Sequence, residues 1–79
     1  MTLAEALSAR LIELLDEHNL NRYGLFKKSG VSQSTLLDIV KKRNVGVNLR
    51  IIYELTQGLG IDIATFFDSP LFRGDNIVD

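Results

Sequence analysis

The chain has no cysteine and no tryptophan, and only one proline and one histidine in 79 residues. Without cysteine there is no disulfide and no thiolate metal site. The missing staples favour a reducing, intracellular setting. The single histidine, His18, has no second ligand type nearby, so neither a metal nor a cofactor is expected. There is no proline before Pro70, and no long alternating pattern, so the periodicity is helical throughout. The longest apolar run is Ile51-Ile52-Tyr53, far short of the roughly 20 residues a membrane span needs. The opening MTLAEALSAR lacks the basic start and apolar stretch of a secretory signal. No glycine-rich phosphate loop and no carboxylate pair with a pocket is visible, so no enzyme and no small-molecule substrate is expected. The expectation is a small cytoplasmic domain.

What is present is ordinary globular composition, 46% apolar and 24% charged. That excludes a disordered tail, whose apolar content could not offset the entropy of ordering. The net charge is −1, but it is segregated. Residues 1–19 hold Arg10 against Glu5, Glu13, Asp16 and Glu17, a net of −3. Residues 20–50 hold Arg22, Lys27, Lys28, Lys41, Lys42, Arg43 and Arg50 against Asp38 alone, a net of +6. Residues 51–79 return to −4, with Arg73 against Glu54, Asp62, Asp68, Asp75 and Asp79. A local field acts within a Debye length of about 8 Å whatever the total charge. The basic middle is therefore either a surface facing a polyanion or a solvated face.

Helix boundaries follow from capping residues. Thr2-Leu3-Ala4-Glu5 is a capping box. It opens a helix to about Asn19 with Leu3, Leu7, Leu11, Leu14, Leu15 and His18 on one face. Asn21 caps a short helix to about Lys28, and Gly30 suits the left-handed position after it. Ser32 caps a third helix from Gln33, with Leu36, Ile39 and Val40 inward and Ser34, Asp38 and Lys41 outward. Asn48 caps a fourth, with Leu49, Ile52, Leu55 and Leu59 buried and Gly58 and Gly60 loosening its end. Asp62 caps a fifth carrying Ile63, Phe66 and Phe67, which Ser69-Pro70 stops. Residues 1–69 form the domain. Residues 70–79 form an acidic tail, partly ordered at best. The fold class is all-α, five helices around one core.

Two short helices joined by a glycine-containing turn are a helix-turn-helix signature, and residues 21–40 fit it. Leu20-Asn21-Arg22-Tyr23 through Lys41, then Asn48 through Ile61 and Phe66-Phe67, resembles the lambda-repressor-like, Cro/CI-type (Xre) family over residues 7–68. The resemblance implies a compact five-helix DNA-binding domain with a recognition helix at 33–42. It assigns Gly30 to the turn. Gln33, Ser34, Thr35 and Asp38 become base-reading positions, and Asn21, Arg22, Lys41, Lys42, Arg43 and Asn44 phosphate contacts.

The chain departs from the family pattern at three places. Phe26 stands where the two motif helices meet, with Gly24 making room. Ser29 precedes the turn where an apolar residue is usual. Lys42 stands where the recognition helix often ends in glycine, which predicts a longer helix with Asn44 or Gly46 left-handed.

Gln33 has the chemistry to bond adenine bidentately. Asp38 either accepts from a cytosine amino group or pairs with Lys41 or Lys42 along the helix. Leu71 and Phe72, beyond Pro70, are hard to bury in so small a domain and are candidates for a dimer contact. The expected function is a sequence-specific transcriptional regulator, a homodimer on double-stranded DNA. The alternative is an antitoxin-like or adaptor module that keeps the fold and binds protein.

Overall fold

The computed structural model describes residues 1–43 and 47–78. Five helices, α1 (Leu3–Glu17), α2 (Arg22–Ser29), α3 (Gln33–Val40), α4 (Leu49–Leu59) and α5 (Ile63–Phe67), precede a 3-10 turn at Pro70–Phe72. No strand occurs among the described residues. Each expected N-cap is in place. The side-chain oxygens of Thr2, Asn21, Ser32, Asn48 and Asp62 accept from the amides of Glu5, Gly24, Thr35, Ile51 and Thr65. At α1 the box closes, since the Thr2 amide donates to Glu5 Oε1 at 2.7 Å. Each cap satisfies a donor that would otherwise have no helical partner.

The helix ends use left-handed residues. Gly30 (φ 77°) and Gly60 (φ 73°) follow α2 and α4, and Asn19 (φ 53°) follows α1. Lys42 (φ 62°) follows α3. Thus α3 does not run on to residue 42 as expected. It stops at Val40, and the lysine itself takes the backbone conformation that glycine takes most easily. The alternatives Asn44 and Gly46 lie outside the described residues.

The core joins Leu11, Leu14, Leu25, Leu36, Leu55 and Phe66, all essentially inaccessible, with Val31, Ile39, Ile52 and Leu59 around them. Helix α1 packs on α3, and α2 packs on both α3 and α4. Three residues expected inward are not buried. Leu3 and Leu49 sit in the first turns of α1 and α4 and are exposed, and so is His18, whose ring Nδ1 reaches the Leu14 carbonyl at 2.8 Å. A first turn projects past the neighbouring helices, so helical phase alone does not bury it.

Gly58 lies within α4, one residue short of its end, and marks a close contact with α2. A Cβ there would lie 2.6 Å from Ser29 Cβ and 2.9 Å from its Cα and amide nitrogen. The unusual Ser29 and Gly58 together let the backbones of α2 and α4 meet. Gly24 likewise does not make room for Phe26. Its missing Cβ clears Leu20 Cδ2 and Asn21 Oδ1, which would stand 3.1 and 3.3 Å away.

Arg10 is buried, which its charge alone does not suggest. Its Nε donates to the Phe66 carbonyl and its Nη2 to the Thr65 carbonyl, each at 2.7 Å, while Nη1 pairs with Glu13. A guanidinium thus occupies the C-terminal end of α5, where carbonyls lack helical donors and the dipole favours a cation. Ser8 does the same for α3, donating to the Val40 carbonyl at 2.8 Å. The segment after Pro70 is tied down more firmly than expected. The Phe72 ring lies 5.0 Å from Phe67 and 6.2 Å from Phe66. The Val78 amide donates to the Met1 carbonyl at 3.0 Å. No helix among the described residues is long and apolar enough to cross a membrane.

Candidate nucleic-acid interface

Helix α3 is held from below and open above. Leu36 and Ile39 enter the core. At 100° per residue the opposite direction falls among Ser34, Asp38 and Lys41. The turn that presents this face is built from Gly30, whose left-handed backbone redirects the chain, and Val31, which is buried beneath it. The Gly30 amide donates to the Phe26 carbonyl at 2.9 Å and closes α2.

At the start of α3, Ser32 makes the cap and also donates to Thr35 Oγ1 at 2.9 Å. Thr35 is therefore half-buried and drawn back toward the cap, with its own hydroxyl proton still available. Ser34 is exposed beside it, 3.3 Å from the Ser32 hydroxyl. Gln33 is exposed, and its amide bonds no other described residue. These three side chains cluster on one helical turn.

Asn21 and Arg22 open α2. The Asn21 side-chain oxygen Oδ1 accepts from the Gly24 amide at 2.7 Å, which leaves its side-chain NH2 available as a donor. Arg22 is exposed at the first helical position, with no carboxylate within ion-pair distance among the described residues. A cation there adds to the free amides of a helix N-terminus.

The cations after α3 divide. Lys41 is exposed and unpaired among the described residues. Lys42 is exposed as well. Glu5 in the first turn of α1 lies below its ordinary pKa through hydrogen bonds with the Thr2 backbone and then its side chain, with smaller contributions from the N-terminal ammonium and Lys42. Arg43 turns back, with its Nε 3.3 Å from Asp38 Oδ1. This corrects the expectation for Asp38, whose partner is neither Lys41 nor Lys42. Sequence spacing missed the pair because Arg43 lies beyond the helix, and only the left-handed Lys42 brings it around. Asn44 lies outside the described residues.

Two further basic side chains are engaged elsewhere. Lys27 Nζ sits 5.9 Å from the Tyr23 ring centre. Arg50 pairs with Glu54 at 3.7 Å and lies 5.8 Å from the Tyr53 ring. Leu71 and Phe72 are half-buried, and Phe72 packs against two aromatic rings of α5, so the domain does accommodate them in part.

The arrangement combines an outward helix face, hydrogen-bonding side chains on its first turn, and, among the described residues, unpaired cations at the opening of α2 and the end of α3. Residues 10–70 match the family model described as the Cro/C1-type HTH DNA-binding domain. No curated protein and no solved structure matches the chain.

Proposed function

Because the chain belongs to the Cro/C1-type HTH DNA-binding domain family, we propose that it is a sequence-specific transcriptional regulator binding double-stranded DNA as a homodimer. Helix α3 enters the major groove, which is about 12 Å wide and accepts one helix. Gln33 bonds an adenine through N6 and N7, the two edge groups that match a side-chain amide. Ser34 and Thr35 supply hydroxyls to neighbouring base edges. Asn21, Arg22, Lys41, Lys42 and Asn44 hold phosphates and set the register of the helix, contacts that position without reading sequence. Half-buried Leu71 and Phe72 supply the dimer contact. The recognition helices of the two protomers then lie about 34 Å apart, one turn of DNA.

The observation that carries this reading is Gln33, exposed and without a side-chain hydrogen bond among the described residues, on the first turn of a helix whose other face is anchored by Leu36 and Ile39. A selection from randomised duplex DNA tests it. The expected product is two half-sites with adenine-dependent recognition lost in Gln33→Ala. Affinity should fall with salt at a log–log slope of about −5, for three cationic phosphate contacts per protomer. Arg22→Ala should weaken all sequences alike and flatten that slope. A selection at low salt that enriches nothing overturns the reading and favours the protein-interaction module. Leu71→Lys should convert the dimer to monomer in sedimentation equilibrium.

A further inference from the structure

Three helices of this chain close with the same two backbone bonds. At α1, the Asn19 amide donates to the Asp16 carbonyl at 3.2 Å and the Leu20 amide to Leu15 at 2.9 Å. At α4, Gly60 donates to Gln57 at 3.2 Å and Ile61 to Thr56 at 3.0 Å. At α3, Lys42 donates to Ile39 at 3.1 Å and Arg43 to Asp38 at 2.8 Å. This closure lays the residue after the left-handed one against the residue five positions before it, usually as an apolar contact. In α1 that pair is Leu20 and Leu15, both part of the core packing. In α3 it is Arg43 and Asp38, and it stands on the outward face beside Ser34 and Lys41.

The backbone therefore fixes where the Arg43 side chain starts, and Asp38 fixes its direction. Asp38 Oδ1 meets Nε at 3.3 Å. Engagement through Nε leaves the two terminal nitrogens of the guanidinium available, the parallel donors that match guanine O6 and N7. The geometry points to a division of labour: Asp38 is a positioning residue, and Arg43 reads a guanine in the major groove. This rests on the DNA-binding reading above and changes the roles of both residues within it. A carboxylate already facing a guanidinium is a poor acceptor for cytosine. A phosphate ligand needs charge without fixed direction, which Lys41 beside it supplies. Orienting the guanidinium before binding also lowers the ordering cost paid on association.

The test compares wild-type protein with R43A, R43K, D38A, D38N and the double variant D38A/R43A by DNA selection and titration on the enriched duplex. The Arg43 side chain is 58% and the Asp38 side chain 42% exposed, so the variants should keep the helical circular dichroism and nearly the melting of the wild type. Wild type should enrich guanine at one position per half-site. R43A and R43K should each lower discrimination there by about tenfold or more, since a lysine has no paired donors. D38A should lower discrimination at the same position while raising affinity for all sequences, because a negative charge leaves the phosphate-facing side. D38N, which keeps an oxygen able to accept from Nε, should retain most of the discrimination that D38A loses. In the R43A background, D38A should change discrimination no further.

The assignment is overturned if R43A weakens every sequence alike, which makes Arg43 a phosphate ligand. It is also overturned if D38A still alters base preference without Arg43, which makes Asp38 a reader itself. A wild-type protein that enriches no sequence overturns the DNA-binding reading, and this assignment with it.

Discussion

Arg10 and Arg43 each face a carboxylate, and their surroundings give them opposite tasks. Arg10 is 7% exposed, and all its nitrogens bond carbonyls or Glu13 across α1 and α5. The Arg43 side chain is 58% exposed, and Asp38 engages it on one edge only. The first guanidinium gives the buried Phe66 carbonyl its donor and adds a second to the Thr65 carbonyl, which the Asp68 amide also reaches. The second keeps two donors for something outside the molecule. The same chemical group is thus framework in one place and a candidate reader in the other, and the number of its donors already bonded tells which.

Removing Arg10 should break the framework side of this comparison most severely. Arg10→Met leaves the buried Phe66 carbonyl without its donor, the Thr65 carbonyl with the Asp68 amide alone and Glu13 without its partner, a loss of about 3 kcal/mol or more in urea unfolding. The same measurement on Arg43→Met should show a change within about 0.5 kcal/mol, as for an exposed ion pair. Equal losses would erase the distinction.

Next in size is Gly58→Ala, whose methyl must displace the Ser29 backbone from α4. A cost of about 1–3 kcal/mol is expected, as for overpacked cores, read as a lower urea midpoint. Because α2 carries the turn into α3, DNA affinity should fall along with stability in this variant, unlike in Gln33→Ala.

Lys42→Gly should act in the other direction. It relieves a left-handed non-glycine residue and should raise stability by about 0.5–1 kcal/mol in thermal melts. The Arg43–Asp38 pair should survive, since the backbone path is kept, so base preference should not change. A destabilised variant would show that the lysine side chain contributes more than its backbone conformation costs.

The smallest effect is that of pH. Glu5 and Asp62 lie below their ordinary values of 4.5 and 3.8, owing to hydrogen bonds with Thr2 and Thr65 respectively. A carboxylate with a depressed folded pKa contributes stability above its ordinary value and loses it as pH falls through the depressed one. Melting temperature should therefore decline on the acid side of about pH 4.5, and Glu5→Gln should flatten part of that decline. A melting temperature constant down to pH 2.5 would contradict the role of both caps.

Much of the fold was legible because its signals are local. Each N-cap bonds an amide three residues on, so Thr2, Asn21, Ser32, Asn48 and Asp62 announce their helices without tertiary knowledge. The resemblance at residues 20–41 and 48–67 marked the motif, and the family match over residues 10–70 agrees with it. What escaped depends on distant partners or on backbone conformation. Arg10 reads as a solvent-facing charge because its acceptors lie 55 and 56 residues away. Gly58 reads as a weak point because Ser29, its close neighbour, belongs to another helix. Lys42 reads as helix continuation because lysine rarely adopts positive φ. A left-handed Lys42 carries the Arg43–Asp38 pairing with it through the closure pattern.

The most direct test of the central claim is nuclear magnetic resonance of isotope-labelled protein titrated with the selected duplex. The account predicts that the largest shifts fall on the side-chain amide of Gln33, on the backbone of residues 33–43 and on Asn21 and Arg22, with α1 and α5 little changed. Shifts concentrated on α1 or the Pro70–Phe72 turn, with α3 silent, would contradict it.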